Sequence, residues 1–125
     1  MRVVICDDAA PVRELTRYGL EQSPAVRVVA ETDDAATGIR RTAELRPDCV
    51  LLDLSMPDMD GLEAIPLLRE ASPETAIVVF SGFSAERLEA TALEIGADRY
   101  VQKGKDFDNL RRTLLEACRA RGAAL

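Results

Sequence analysis

The strongest constraint on this chain is a set of short apolar runs, each cut off by a chemically active side chain. Val3-Val4-Ile5-Cys6 stops at Asp7-Asp8, Cys49-Val50-Leu51-Leu52 at Asp53, and Ala76 to Phe80 at Ser81. Runs this continuously apolar suit strands buried on both faces, which is the condition of a parallel sheet covered by helices. Val26 to Ala30 reads as a further strand, and Arg99 to Gln102 as a short fifth one running into Lys103.

The stretches between these runs carry helix signals. Pro11 suits the first turn of a helix carrying Val12, Leu15 and Leu20 to about Gln22. Thr32 is placed to cap a helix over 33–45, with Asp33 and Asp34 at its positive end. A loop rich in Pro57, Asp58, Asp60 and Gly61 leads to a helix from about Leu62 to Ala71. Ser84 is placed to cap a fourth helix ending at Ile95 before Gly96, and a last helix from Phe107 buries Phe107, Leu110, Leu114 and Ala117. Five strands alternating with five helices predict an α/β, flavodoxin-like doubly wound (βα)5 domain over 1–125, with no room for an output domain in this chain.

Composition removes several kinds of chemistry. No histidine occurs in the 125 residues, which excludes Ser-His-Asp and Cys-His catalysis and every His-ligated metal site within the chain. The formal net charge of −6 disfavours direct binding to nucleic acid or an anionic membrane surface. The uncharged stretch Thr75 to Ala85 is too short to span a bilayer. Cys6, Cys49 and Cys118 form no CxxC pair, and Cys6 and Cys49 read as buried reduced thiols of a cytoplasmic protein.

Ligands of such a sheet bind outside the carboxyl ends of its strands, so Asp7, Asp8, Asp53, Ser81 and Lys103 converge on one edge. Three carboxylates together call for a cation, and hard oxygen ligands favour Mg²⁺. A carboxylate beside that ion can attack a phosphoryl group and form an aspartyl phosphate, with a hydroxyl and an ammonium holding the transferred oxygens. The chain has 14 arginines and only two lysines, Lys103 and Lys105, so a lysine stands at the predicted site in a chain that otherwise uses arginine. A compact ammonium and a broad guanidinium fork are not interchangeable there.

Ile5-Cys6-Asp7-Asp8, the stretch from Leu51 through Asp53 and Ser55-Met56-Pro57 to Gly61, Phe80-Ser81-Gly82, and Gly96 through Tyr100 to Lys103 resemble the motifs of a response-regulator receiver domain. The resemblance covers essentially the whole chain and is closest in style to receivers of LuxR-type regulators. It implies a two-component signalling switch in which Asp53 takes a phosphoryl group from a phosphohistidine of a sensor histidine kinase or phosphotransfer protein. Asp7, Asp8, Asp53 and the backbone carbonyl of Ser55 would hold Mg²⁺. Lys103 would pair with Asp53 and then with the phosphoryl group, Ser81 would hydrogen-bond that group, and Tyr100 would turn inward as its loop moves. The face of the fourth helix, fifth strand and fifth helix, with Leu93 on it, would then change its affinity for a downstream protein, an output domain or a second copy of the chain.

On this reading the chain is no enzyme toward other molecules and catalyses only its own phosphoryl transfer and dephosphorylation. Two alternatives stay open: a degenerate receiver that signals by binding alone, and an aspartate-based phosphohydrolase. The second is disfavoured because Ser55 stands where such enzymes place a second acid. Gly104 replaces the family's usual proline after the lysine, so a trans Lys103–Gly104 bond is expected. Phe83 is expected to shield an acyl phosphate from water. Arg111, Arg112, Arg119 and Arg121 read as a solvated face of the last helix, and Lys105 as a solvated loop lysine.

Overall fold

The computed structural model describes residues 1–104 and 106–125; Lys105 lies outside the described residues. Strands β1 (Arg2–Cys6), β2 (Arg27–Thr32), β3 (Cys49–Leu52), β4 (Ala76–Ser81) and β5 (Arg99–Gln102) alternate with helices α1 (Ala10–Glu21), α2 (Ala35–Leu45), α3 (Gly61–Ala71), α4 (Ala85–Glu94) and α5 (Phe107–Ala120). The sheet is wholly parallel in the order β2-β1-β3-β4-β5. The order reverses at β1, placing the ends of β1 and β3 side by side at the point where doubly wound sheets bind ligands.

Alternation along the strands divides the interior in two. Val3, Ile5, Leu51, Val78 and Val101 pack against α1 and α5 through Leu20, Leu110 and Leu114. Val4, Val50, Leu52, Ile77 and Val79 pack against Ala64, Ile65 and Leu68 of α3, Ala35 of α2 and Ala92 of α4. β3 and β4 are buried at every residue, as their unbroken apolar runs require.

Several local expectations change. Thr32 does not cap α2: it is the last residue of β2, paired with Cys6, and Asp34 is the cap, accepting from the Thr37 N–H at 2.6 Å. Strand pairing thus holds the hydroxyl residue and leaves the later carboxylate free for the helix end. Ser84 occupies the cap position of α4 but its side chain makes no capping bond, and Gln102 Oε1 accepts from Ala85 N at 3.3 Å instead. On α1 the buried residues are Thr16, Gly19 and Leu20, whereas Val12 and Leu15 face outward. The ring of Phe107 lies over Gly19, where a Cβ would sit 2.4 Å from it, so α1 and α5 meet closely and Phe107 is only half-buried.

The arginines in and just after α5 are not uniformly solvated. Arg121 Nε donates to Asp98 Oδ1 at 2.8 Å, and Asp98 Oδ2 accepts from Arg69 Nη2 and from the Ile77 N–H, both at 2.7 Å. Arg111 Nη1 reaches the Gly19 carbonyl at 2.5 Å. No helix among the described residues is long and apolar enough to cross a membrane.

Candidate functional site

Each site residue is placed by a strand that stops. β1 and β3 pair Cys6 with Leu52, so the next residues, Asp7 and Asp53, leave the sheet together, and Asp53 N donates to the Cys6 carbonyl at 2.9 Å. β4 ends at Ser81, paired with Gln102, and Lys103 N donates to the Ser81 carbonyl at 2.7 Å. The sheet thereby carries Asp7, Asp8, Asp53, Ser81 and Lys103 to one edge.

One oxygen each from Asp7, Asp8 and Asp53 lies within 4.8 Å of the others. Asp7 and Asp53 are buried, at 2 % and 6 % exposure, while Asp8 is exposed. Lys103 Nζ donates to Asp7 Oδ2 at 2.9 Å and lies 3.4 Å from Asp53 Oδ2. The same ammonium stands 5.7 Å from the centroid of the Phe80 ring. Burial pushes the Asp53 carboxyl above its ordinary value, and the nearby Asp7 charge adds to that, against the pull of Lys103 and the Ser55 N–H. Burial works against the Lys103 ammonium, but the Asp7 hydrogen bond and the Asp53 charge outweigh it and hold its value above the ordinary one.

This donor set suits a hard divalent cation: three carboxylates, one of them open to solvent, leave room for coordinated water, as Mg²⁺ prefers. Ser55 is exposed, and its N–H donates to Asp53 Oδ1 at 3.3 Å. Ser81 is fully buried, and its Oγ accepts from Phe83 N at 3.1 Å. Tyr100, expected to turn inward only as its loop moves, already points inward at 8 % exposure, because its hydroxyl donates to the Phe83 carbonyl at 2.8 Å; the loop after β4 is thus held at both ends of one residue. The ring of Phe83 itself is 43 % exposed and Leu93 is 41 % exposed. No described peptide is cis, and Gly104 takes φ +104, a conformation that favours glycine at that position.

Two neighbours of the site escape sequence reasoning. Arg13 Nη1 donates to the Asp7 carbonyl at 2.7 Å, with its Nε 3.4 Å from Glu31 Oε1. Asp58, in the loop after β3, accepts from the N–H groups of Ala35 and Ala36 at the start of α2. The Arg13 contact runs from a residue six positions on in the next helix, and Asp58 reads only as a turn residue, so neither has a local signal.

An acidic cluster at the switch point of a 2-1-3-4-5 parallel sheet, with a hydroxyl and a lysine on the neighbouring strand ends, defines the receiver class of signalling domains. The family model for the response regulator receiver domain matches residues 3–115, and the chain belongs to that family, the receivers of two-component systems.

Among solved structures, a LuxR-family two-component response regulator from Aurantimonas sp. SI85-9A1 matches with TM-score 0.89 and 32% identity, over 96% of this chain and 86% of that one. The receiver domain of the putative response regulator NarL from Mycobacterium tuberculosis matches with TM-score 0.88 and 30% identity, over 94% and 95%. Among curated proteins, the nitrate/nitrite response regulator NarL of Escherichia coli K12 is 37% identical over 115 residues, 92% of this chain and 53% of its own length. A protein-glutamate methylesterase/protein-glutamine glutaminase of Geobacter sulfurreducens is 42% identical over 103 residues, 82% of this chain but 28% of its own length. The chain thus spans about half or less of these curated relatives.

Proposed function

We propose that the domain is a phosphorylation-driven switch in which Asp53 is the phosphoacceptor. A carboxylate oxygen of Asp53 attacks the phosphorus of a phosphohistidine on a sensor kinase or phosphotransfer protein. The new O–P bond forms as the P–N bond breaks, and the imidazole of the donor leaves. The observation that carries this reading is the Lys103 ammonium between two buried carboxylates that share an edge with Asp8. Asp7 is the poorer nucleophile because it is held more tightly: its Oδ1 accepts from Ala9 N and its Oδ2 from Lys103, both at 2.9 Å, against 3.3 Å from Ser55 N and 3.4 Å to Lys103 for Asp53.

Asp7, Asp8 and Asp53, with the Ser55 carbonyl, are the residues to hold Mg²⁺, which when bound neutralises charge on the transferring phosphoryl oxygens. Lys103 follows the phosphoryl group as a point charge. Ser81, which accepts from Phe83 N, donates its hydroxyl proton to a phosphoryl oxygen and draws the loop after β4 toward the site. That pull moves the loop that Tyr100 holds through the Phe83 carbonyl and carries the change to the face of α4, β5 and α5, where Leu93 is exposed. A cytoplasmic location, an output domain or protein partner, and phosphorylation-dependent pairing of two copies through that face belong to the same reading.

The test is intact mass after incubation with Mg²⁺ and a small phosphodonor, beside Asp53→Asn. The expected result is one phosphoryl group on the wild type and none on the variant. Equal labelling of both would overturn Asp53 as acceptor.

A further inference from the structure

The loop from Asp53 to Gly61 is closed mostly on itself. Ser55 and Asp60 form an isolated antiparallel bridge, Gly61 N donates to the Leu54 carbonyl at 3.1 Å, and Asp60 Oδ1 accepts from Leu62 N at 2.9 Å. Asp58 is different because it leaves the loop. Its Oδ1 accepts from Ala35 N at 2.8 Å and its Oδ2 from Ala36 N at 2.9 Å, residues 23 and 22 positions away in sequence. Those are the first two N–H groups of α2, which have no partner within the helix, and the third is taken by Asp34. A carboxylate at the positive end of a helix, held by two N–H groups, is a strong anchor even where it is exposed. The two N–H groups also hold the Asp58 carboxyl below its ordinary value, so it is ionised at neutral pH.

We infer that Asp58 is a positioning residue for the metal site, clamping the loop after Asp53 to the start of α2 so that the Ser55 carbonyl and the Asp53 carboxylate keep their places. This rests on the phosphoacceptor reading above. The route is short: Ser55 N donates to Asp53 Oδ1, and Asp58 lies three residues further along the same loop. With the clamp released, the loop keeps its Ser55–Asp60 bridge but loses its tie to α2, and the bridged unit that carries Ser55 shifts as a whole. Partners hydrogen-bonded directly to a metal ligand typically change affinity by about tenfold or more when removed, and Asp58 acts one step further out through the loop, so the lower end of that range is expected.

The experiment is Mg²⁺ titration calorimetry on the full chain for wild type, Asp58→Ala and Asp58→Asn, with melting in the absence of metal and Mg²⁺ dependence of labelling by a small phosphodonor. Asp58→Ala should bind Mg²⁺ about tenfold more weakly. Its half-saturating Mg²⁺ for labelling should rise by the same factor, with labelling recovered at saturating Mg²⁺. Asp58→Asn keeps one carbonyl acceptor and should fall between the two. It also keeps the test alive if the alanine variant fails to fold. Variants that melt lower yet bind Mg²⁺ like the wild type would overturn the inference and leave Asp58 as a plain helix cap. A wild type that binds no Mg²⁺ would instead overturn the phosphoacceptor reading itself.

Discussion

Lys103 Nζ is closer to Asp7 Oδ2, at 2.9 Å, than to Asp53 Oδ2, at 3.4 Å. The lysine is thus shared between two carboxylates of neighbouring strands and leans toward the more deeply buried one. This arrangement limits repulsion within the acidic cluster while leaving Asp53 its weaker hold.

Lys103→Met leaves Asp7 buried without its cation. At neutral pH the variant should be about 2 kcal/mol less stable in urea unfolding. The Lys103 value is raised above the ordinary 10.5, so its contribution is fully present below 10.5 and is lost as pH rises through the higher folded value. The stability gap between the two proteins should therefore close at high alkaline pH. A gap that stays constant there would show that the ion pairs carry none of it.

Tyr100→Phe removes only the hydroxyl that reaches the Phe83 carbonyl. The expected cost is about 1 kcal/mol. Hydrogen exchange at residues 82–84 should quicken while that of β4 stays unchanged. Unaltered exchange in that loop would mean the hydroxyl does not hold it.

Gly61→Ala and Gly82→Ala should differ sharply. A Cβ at Gly61 would sit 2.3 Å from the Leu54 Cα, which is backbone and cannot yield without moving the loop. A loss of about 3 kcal/mol is expected in urea unfolding. At Gly82 a Cβ meets nothing within 4 Å, and the substitution should be neutral or stabilising by about 0.5 kcal/mol. Similar effects at the two positions would contradict the close approach at Leu54.

Cys6, Cys49 and Cys118 are all buried, and burial pushes the Cys6 thiol up to about 11. The native chain should take up no alkylating agent at neutral pH and three equivalents once unfolded, read by intact mass. Because the Cys6 value is raised from 9.0, its favourable contribution is complete below 9.0 and fades as pH climbs toward about 11. An adduct on the native chain would show that a thiol is reached by local opening.

Most of the site was legible because its signals are local. An apolar run followed by Asp7-Asp8, by Asp53 or by Ser81 needs only the length of a strand to be read, and a parallel sheet brings such ends to one edge. The helix starts were less legible. Thr32 and Asp34 are both good caps, and only strand pairing with Cys6 decides that Asp34 serves. Arg121 read as a solvated arginine because Asp98 is 23 residues away, across the edge of the sheet.

The sequence alone determined the alternation of strands and helices, the absence of any internal histidine chemistry, and which carboxylates, hydroxyl and ammonium stand at strand ends. Tertiary structure decided which of them touch. That Lys103 leans toward Asp7, that Tyr100 is turned inward onto Phe83, and that Asp58 seizes the start of α2 depend on distances between segments far apart in the chain. Propensity and pattern act over a few neighbouring residues, whereas these contacts exist only once the order β2-β1-β3-β4-β5 has set the elements side by side.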